Sequence, residues 1–493
     1  MHDYPAMTSH AIWLLLPAPP ADPPMLNILG SSSRLCDGLS RREILRAGGL
    51  GTLGLSLPAL LQSRAARASS PTSEAVGRGT AKSCIVLFLM GGPPQHSTWD
   101  PKPKAPVEVR GEFAPIDTVV PGMQICELFS QTAKFADRLA LLRAVSSGDN
   151  AHSSSGYYML TGQPHAPMNF ENANPGFPND YPNMGAVVRK HVTARGNLPA
   201  AIRLPHRIFN TDGSVWPGQD GGFMGRTNEP WLMNCSPGNP DFSVPEFSLS
   251  ADVSDRRMTD RLSLLQRINT QFDLAANTGL STTYGRYAQQ AFDLLGSATS
   301  RQAFDLNRES AAMRDRYGRS QFGQSVLLGR RLVEAGVSLV QVNWHRGPDE
   351  PSDTPCWDSH ARESQRLKQD LMPPADQAIS ALLEDLQTRG LLDETLVVCM
   401  AEFGRSPRMN ANGGRDHWGQ VYSVALAGGG IRGGTIYGAS DNIGAYPQEG
   451  KVVPEDLTAT IFHCLGLDPT TEMHDTFGRP LPISRGEIIR QIL

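Results

Sequence analysis

Between Thr395 and Trp418 the chain reads TLVVCMAEFGRSPRMNANGGRDHW, an uninterrupted apolar run that ends in the carboxylate Glu402. Phe403-Gly404-Arg405 follow at once, and Arg415-Asp416-His417-Trp418 come later in the same loop. A run that is apolar at every position, not at every second one, leaves no face for solvent. It fits a strand buried on both sides, the setting of a parallel sheet covered by helices. Such sheets bind ligands where their strands end, so the polar residues after this run are candidate reactive groups.

The same pattern recurs at Cys84–Met90 (CIVLFLM), Leu139–Val145, Val337–Asn343 and Val421–Leu426. Between these runs the spacing turns helical: Leu128–Phe135, several stretches within 253–335 (Arg261–Leu265, Tyr287–Phe292, Val326–Val333), and Gln377–Leu386, which stops at Gly390. Val453-Pro454-Glu455-Asp456-Leu457 starts a helix with acidic residues in its first turn, which continues to Cys464. Residues 163–250 are rich in Pro and Asn and without periodicity, so long loops with short strands are predicted there. Alternation of strand and helix predicts one α/β domain over 83–493 with a mainly parallel sheet, residues 253–335 forming a helical layer or insertion.

The N-terminus reads differently. Ser40-Arg41-Arg42-Glu43-Ile44-Leu45 is a twin-arginine pattern, followed by a Gly/Leu-rich run to Leu61 and by Ala66-Arg67-Ala68. A charged start, a short apolar middle and a small-x-small site predict an export signal within residues 1–68, too short to span a bilayer, with a Ser/Thr/Gly-rich linker over 69–82. The expected destination is the periplasm or the extracellular space, and no transmembrane segment is expected in the mature chain. The Pro-rich Met1–Leu39 is unusual for a leader, and Met25 is an alternative start. A formal net charge of −4 with dispersed Lys and Arg excludes a nucleic-acid binder as the expected class. Cys84 and Cys399 lie inside apolar runs, where a small buried thiol is the simple reading, and no disulfide framework is inferred.

Polar groups cluster after the apolar runs. Gly91-Gly92-Pro93-Pro94-Gln95-His96-Ser97-Thr98-Trp99-Asp100 follows the first, placing His96 and Asp100 where either a site or an ordinary turn can form. The second leads to Asn150-Ala151-His152-Ser153-Ser154-Ser155-Gly156, whose hydroxyls suit either an anion at a helix N-terminus or helix capping. The strand ending at Asn343 runs into Trp344-His345-Arg346 and then Trp357-Asp358-Ser359-His360. Carboxylate and imidazole two residues apart on a loop can reach one divalent ion, the alternative being that Trp357 packs and the polar pair caps the next helix. The Gly-rich Ala427–Gly434 lacks the spacing of a phosphate loop.

GGPPQHSTWDPKP, HSSSGYYMLTG, WDSH, LLDETLVVCMAEFGRSP, GGRDHW, ALAGGGIRGG and PEDLTATIFHCLGLDP, in this order, resemble the bacterial family called domain of unknown function 1501. The resemblance covers residues 83–493. It implies a three-layer, alkaline phosphatase-like sandwich from a superfamily of metal-dependent enzymes that cleave phosphate or sulfate esters. HSSSGYYMLTG resembles the sulfatase nucleophile motif, with His152 where that motif carries its formylglycine-forming cysteine. Glu402-Phe403 stands where the superfamily has a metal-binding Asp-His pair, Met90-Gly91 where it has an aspartate, and Ser97 where relatives commonly have Asp. His417 has the spacing of a later His ligand, and Asp358 with His360 resembles the other Asp/His pair.

The combined expectation is one divalent ion (Zn, Ca, Mg or Mn) held by Asp358, His360, Glu402 and His417. Asp416, Asp100 and His96 are further candidate ligands. His152, Ser153 or a neighbouring serine, or a metal-bound hydroxide, would attack, and Arg405 or Arg415 would hold the anionic ester. The expected substrate is a sulfated or phosphorylated small molecule or polysaccharide. The alternative is an exported binding protein that keeps the fold without catalysis and holds anionic polysaccharide or an envelope partner.

Overall fold

The run at residues 83–88 forms β1 (Ser83–Phe88), buried at every position and flanked by parallel neighbours on both sides. The computed structural model describes residues 79–244, 256–257, 260–261, 263–265, 267–268, 270, 297–346, 350 and 355–493. The expected leader, most of the linker and the Tyr287–Phe292 helix lie outside them.

The other strands of the sheet are β2 (Leu139–Val145), β3 (Ala201–Leu204), β4 (Trp231–Leu232), β5 (Leu339–Asn343), β6 (Thr395–Met400), β7 (Tyr422–Ala427) and β8 (Thr435–Tyr437). Their order is β8-β2-β7-β6-β1-β5-β3-β4. β1 pairs with β5 from Cys84↔Leu339 to Phe88↔Asn343 and with β6 from Ser83↔Thr395 to Phe88↔Met400. Only β7 runs against its neighbours, β2 and β6; the remaining pairs are parallel. Each fully buried Val, Leu or Ile of these strands contributes about 1.5–3 kcal/mol.

Helices cover both faces. On α3 (Gln321–Glu334), a Cβ at Gly329 would lie 3.1 Å from Val342 and 3.5 Å from Val340, so the helix backbone rests almost directly on the sheet. That face also carries Ile85. Phe88, of opposite parity, points to the other face and meets Trp216 edge-on at 6.4 Å. Against Trp216 lies Gly156 of α1 (His152–Thr161), where a Cβ would come within 2.3 Å of the indole. α1 packs on α5 (Pro454–Cys464), and α3 on α4 (Met372–Thr388). The predicted three-layer α/β sandwich is therefore present, and α3, within the expected insertion, forms part of one outer layer.

Three local expectations are corrected. Leu128–Phe135 is not an α-helix but the 3-10 turns Glu127–Phe129 and Thr132–Arg138, tied down where Asp376 of α4 accepts from the Gln131 and Thr132 N–H groups at 2.9 and 2.7 Å. Residues 163–250 contain a helix, α2 (Met184–His191), started by Asn183, whose side chain accepts from Gly185 N at 2.8 Å. α4 begins at Met372 and not Gln377, with prolines in its first turn after a π turn at Leu367–Leu371. Among the described residues no helix is long and apolar enough to cross a membrane.

Candidate metal centre

Parallel strands end along one edge of the sheet, and there the chain gathers its reactive side chains. His152 follows β2, Asp358 and His360 follow β5, and Glu402 follows β6. His417 precedes β7, whose reversed direction brings its start, not its end, to the same edge. A two-stranded ribbon pairing His417 with Arg405 and Trp418 with Gly404 fixes that approach.

The centre is Asp358. Its Oδ1 lies 3.0 Å from His417 Nε2 and 3.0 Å from His360 Nε2, and the two imidazole nitrogens are 2.9 Å apart. The outer nitrogen of each ring has a hydrogen-bond acceptor beside it. His417 Nδ1 donates to the Asn150 carbonyl at 2.8 Å, and His360 Nδ1 to the Asp416 carboxylate at 3.3 Å. A neutral imidazole has one N–H, so spending it outward leaves a bare lone pair on Nε2. With each N–H spent outward, two nitrogen lone pairs and a carboxylate oxygen would face one point. Burial pushes His417 down to about 3, against the nearby Asp358 carboxylate, which favours the protonated ring. Spacings near 3.0 Å match donors at right angles around an ion with bonds of about 2.1 Å. The nitrogen and oxygen donors present therefore fit a divalent ion, and an outward N–H to carbonyl or carboxylate is how metal-bound histidines are oriented. His152, Asp358 and His417 also bring ligand atoms within 4.8 Å of one another.

His152 bridges two carboxylates. Its Nε2 lies 3.2 Å from Asp358 Oδ2 and its Nδ1 2.8 Å from Glu402 Oε1. Burial alone would pull this imidazole down, but the two carboxylates outweigh it and push it up to about 10. Asp358 is likewise raised by burial and lowered further by Arg405 and His152, ending well below the usual carboxylate range. Glu402 is fully buried; its Oε1 also accepts from Gly91 N at 2.8 Å, while Oε2 is buried without a hydrogen-bond partner. Glu402 thus stands behind His152, away from the oxygen that faces His360 and His417. Gly91 permits this approach: its φ is +112°, and a Cβ there would lie 2.4 Å from Asp358 N.

Phe403, where the resemblance places a histidine, is 1% exposed and acts as a wall. It stacks on His417 at 4.4 Å and lies tilted against His152 at 4.9 Å. His152 also stacks on Trp216 at 5.6 Å. Outward from His152 and Asp358 opens a cleft of about 230 Å³, lined also by Asn172, Phe209, Asn210, Thr211 and Arg346.

Several candidate residues have other tasks. Asp416 is an orienting partner of His360 and not a ligand, with 67% of its side chain exposed. Asp100 pairs with Lys102 at 3.0 Å and Ser440 at 2.5 Å, and His96 Nε2 bonds the Ile443 carbonyl at 2.8 Å, so neither joins the centre. Ser153 is buried and accepts from Asn210 Nδ2 at 2.9 Å; Ser154 donates to Asp149 and Ser155 to the Glu402 carbonyl. The serines therefore line no cleft, and they do not cap α1 either, whose N-cap is Ala151. Arg415 is consumed by Glu363 at 2.9 Å and by the carbonyls of Ser406, Pro407 and Val109, leaving no anion-binding face. Arg405 is equally buried. It donates to the carbonyls of Gly91, Gly92, Trp357 and Arg415 and to Asp358 Oδ1 at 2.5 Å, so it balances Asp358 and does not face the cleft. Arg346, Trp216 and Asn210 are cleft residues that sequence reasoning did not assign. Arg346 had a signal, its position three residues beyond the end of β5; Trp216 and Asn210 lie in a loop without one.

The family model described as "Protein of unknown function (DUF1501)" matches residues 81–493. No curated protein matches the chain. Among solved structures it is similar to a phosphonate monoester hydrolase of Agrobacterium radiobacter, at 13% identity and TM-score 0.38, over 83% of this chain and 76% of that one. It is also similar to a sulfatase from Pseudoalteromonas sp., at 13% identity and TM-score 0.35, over 78% and 68% of the two chains. A third is a putative sulfatase from Bacteroides thetaiotaomicron, at 10% identity and TM-score 0.38, over 83% and 73%.

Proposed function

The chain belongs to the DUF1501 family, and from that premise we propose that it is an exported, divalent-metal-dependent hydrolase of sulfate or phosphate esters. The observation that carries this reading is the convergence of two imidazole Nε2 atoms and the Asp358 carboxylate within 3.0 Å of one another. Asp358, His360 and His417 would hold the ion. Mixed imidazole and carboxylate donors favour zinc or manganese over calcium or magnesium, which prefer oxygen. When bound, such an ion polarises an ester oxygen and lowers the pKa of a bound water.

The chain's own residues supply the rest. His152 lines the cleft with Nδ1 bonded to Glu402 and Nε2 to Asp358, so it fixes the Asp358 carboxylate in place at the cleft wall. Trp216 and Phe403 both pack against its ring and restrict its movement. The twin-arginine pattern at Arg41-Arg42 supports export in the folded state.

The test is elemental analysis of the purified chain together with turnover of 4-nitrophenyl sulfate and 4-nitrophenyl phosphate. The expected result is one zinc- or manganese-type ion per chain and turnover that disappears in His417→Ala. A metal-free protein that gains no thermal stability from added zinc or manganese would refute it. Fractionation of cells carrying Arg41→Lys/Arg42→Lys, with retention in the cytoplasm expected, tests export. A second reading, a non-catalytic binder of anionic polysaccharide, draws support from charge balance: Arg405 and protonated His152 already neutralise Asp358 and Glu402. Stoichiometric metal without turnover of any ester would favour that reading.

A further inference from the structure

One cation of the cleft differs from the arginines behind the centre. Arg346 follows β5 by three residues and lines the same cavity as His152 and Asp358. Among the described residues it forms no ion pair and no hydrogen bond, and its Nε is buried without a partner. Its guanidinium sits 5.7 Å from the centre of the Phe209 ring, a contact that orients the plane but consumes no N–H. A buried donor left unmade costs about 1–3 kcal/mol. Arg405 and Arg415 avoid that cost by bonding carbonyls and carboxylates. Arg346 alone of these three keeps its fork open, toward a cleft whose inner end is the Asp358 centre.

We propose that Arg346 is the residue that binds the anionic oxygens of the substrate, holding a tetrahedral oxyanion ester against the Asp358 centre. A planar fork accepts two oxygens of a sulfate or phosphate group side by side. Phe209 and Trp216 line the cleft with apolar surface, while Asn172 and Thr211 offer polar groups to the alcohol part. The assignment rests on the hydrolase reading for the ester but not for the anion, which separates the two in experiment.

The test uses the full chain. Binding of inorganic phosphate and of inorganic sulfate is measured by calorimetry for wild type, Arg346→Gln and Arg346→Lys, with thermal unfolding of each as the folding control. Turnover of 4-nitrophenyl sulfate and phosphate is followed in parallel. The expected result is saturable binding of at least one anion by wild type and a loss of about 10- to 100-fold in Arg346→Gln at unchanged melting temperature. Arg346→Lys should fall between them, and wherever turnover is present KM should rise more than kcat falls. Anion binding lost in Arg346→Gln without turnover in wild type would keep the assignment and sink the hydrolase reading. Turnover with the same KM in wild type and Arg346→Gln, equal anion affinity in the two, or no anion binding by wild type would each overturn the assignment.

Discussion

Asp358→Ala separates the two roles that meet on one carboxylate. In the folded chain Asp358 neutralises Arg405, which is fully buried, at 2.5 Å, and its side chain is itself only 16% exposed. Removing one partner of a buried pair costs about 3–5 kcal/mol. Arg405 keeps its carbonyl acceptors and Asp358 retains some solvent contact, so a loss of about 3 kcal/mol is expected without metal. The second role adds a conditional term: an ion at a hundred times its Kd stabilises the wild type by about 2.7 kcal/mol, and a variant without the ligand gains nothing. The gap between wild type and Asp358→Ala should therefore be about 3 kcal/mol in EDTA and about 6 kcal/mol in saturating zinc. Urea midpoints of the full chain, read by tryptophan fluorescence at constant slope, give both numbers. A gap that is the same in EDTA and zinc refutes Asp358 as a ligand. A gap below about 1 kcal/mol in EDTA refutes its role as the counter-charge of Arg405.

Other substitutions probe the surroundings of the centre. Arg415→Ala leaves Glu363 buried and unpaired, so a stability loss of about 3–5 kcal/mol is expected in urea titration, with unchanged anion affinity of the folded protein. Gly91→Ala combines a φ of +112° with a Cβ 2.4 Å from Asp358 N; about 3 kcal/mol or more should be lost, visible as a fall in both melting temperature and metal content. Burial holds His96 down to about 3, against an unfolded value of 6.5. The unfolded chain then binds the extra proton between those values, so stability falls by about 1.4 kcal/mol per pH unit as pH drops below 6.5. Urea midpoints from pH 7 to 5 should show a slope steeper in wild type than in His96→Gln by about this amount.

The sheet was legible because its strands are buried on both faces, which leaves no alternation to interpret at Cys84–Met90, Leu139–Val145 or Thr395–Met400. His152, Glu402 and His417 were legible for a related reason, each lying within a few residues of such a run, whereas Asp358 and His360 were legible as a carboxylate and imidazole two residues apart on the long loop after Asn343. Arginines were not. Arg346, Arg405 and Arg415 all sit near strand exits, and what distinguishes them is whether distant carbonyls use up their donors. Those of Arg405 bond Gly91 and Gly92, 314 and 313 residues away, and one from Arg415 reaches Val109, 306 away. Sequence spacing carries no information about such partners. Asp416 illustrates the same limit at short range, since only its position outside the His360 ring makes it an orienting group and not a ligand.

The reversed strand β7 has a consequence for the timing of assembly. Because it runs against its neighbours, it brings His417 to the centre from its leading end, and His152 is separated from His417 by most of the chain. No ribosome-bound fragment that stops short of His417 can hold the full set of donors. Under the metal-dependent reading, affinity for the ion would therefore appear only late in synthesis, once His417 has joined Asp358 and His360.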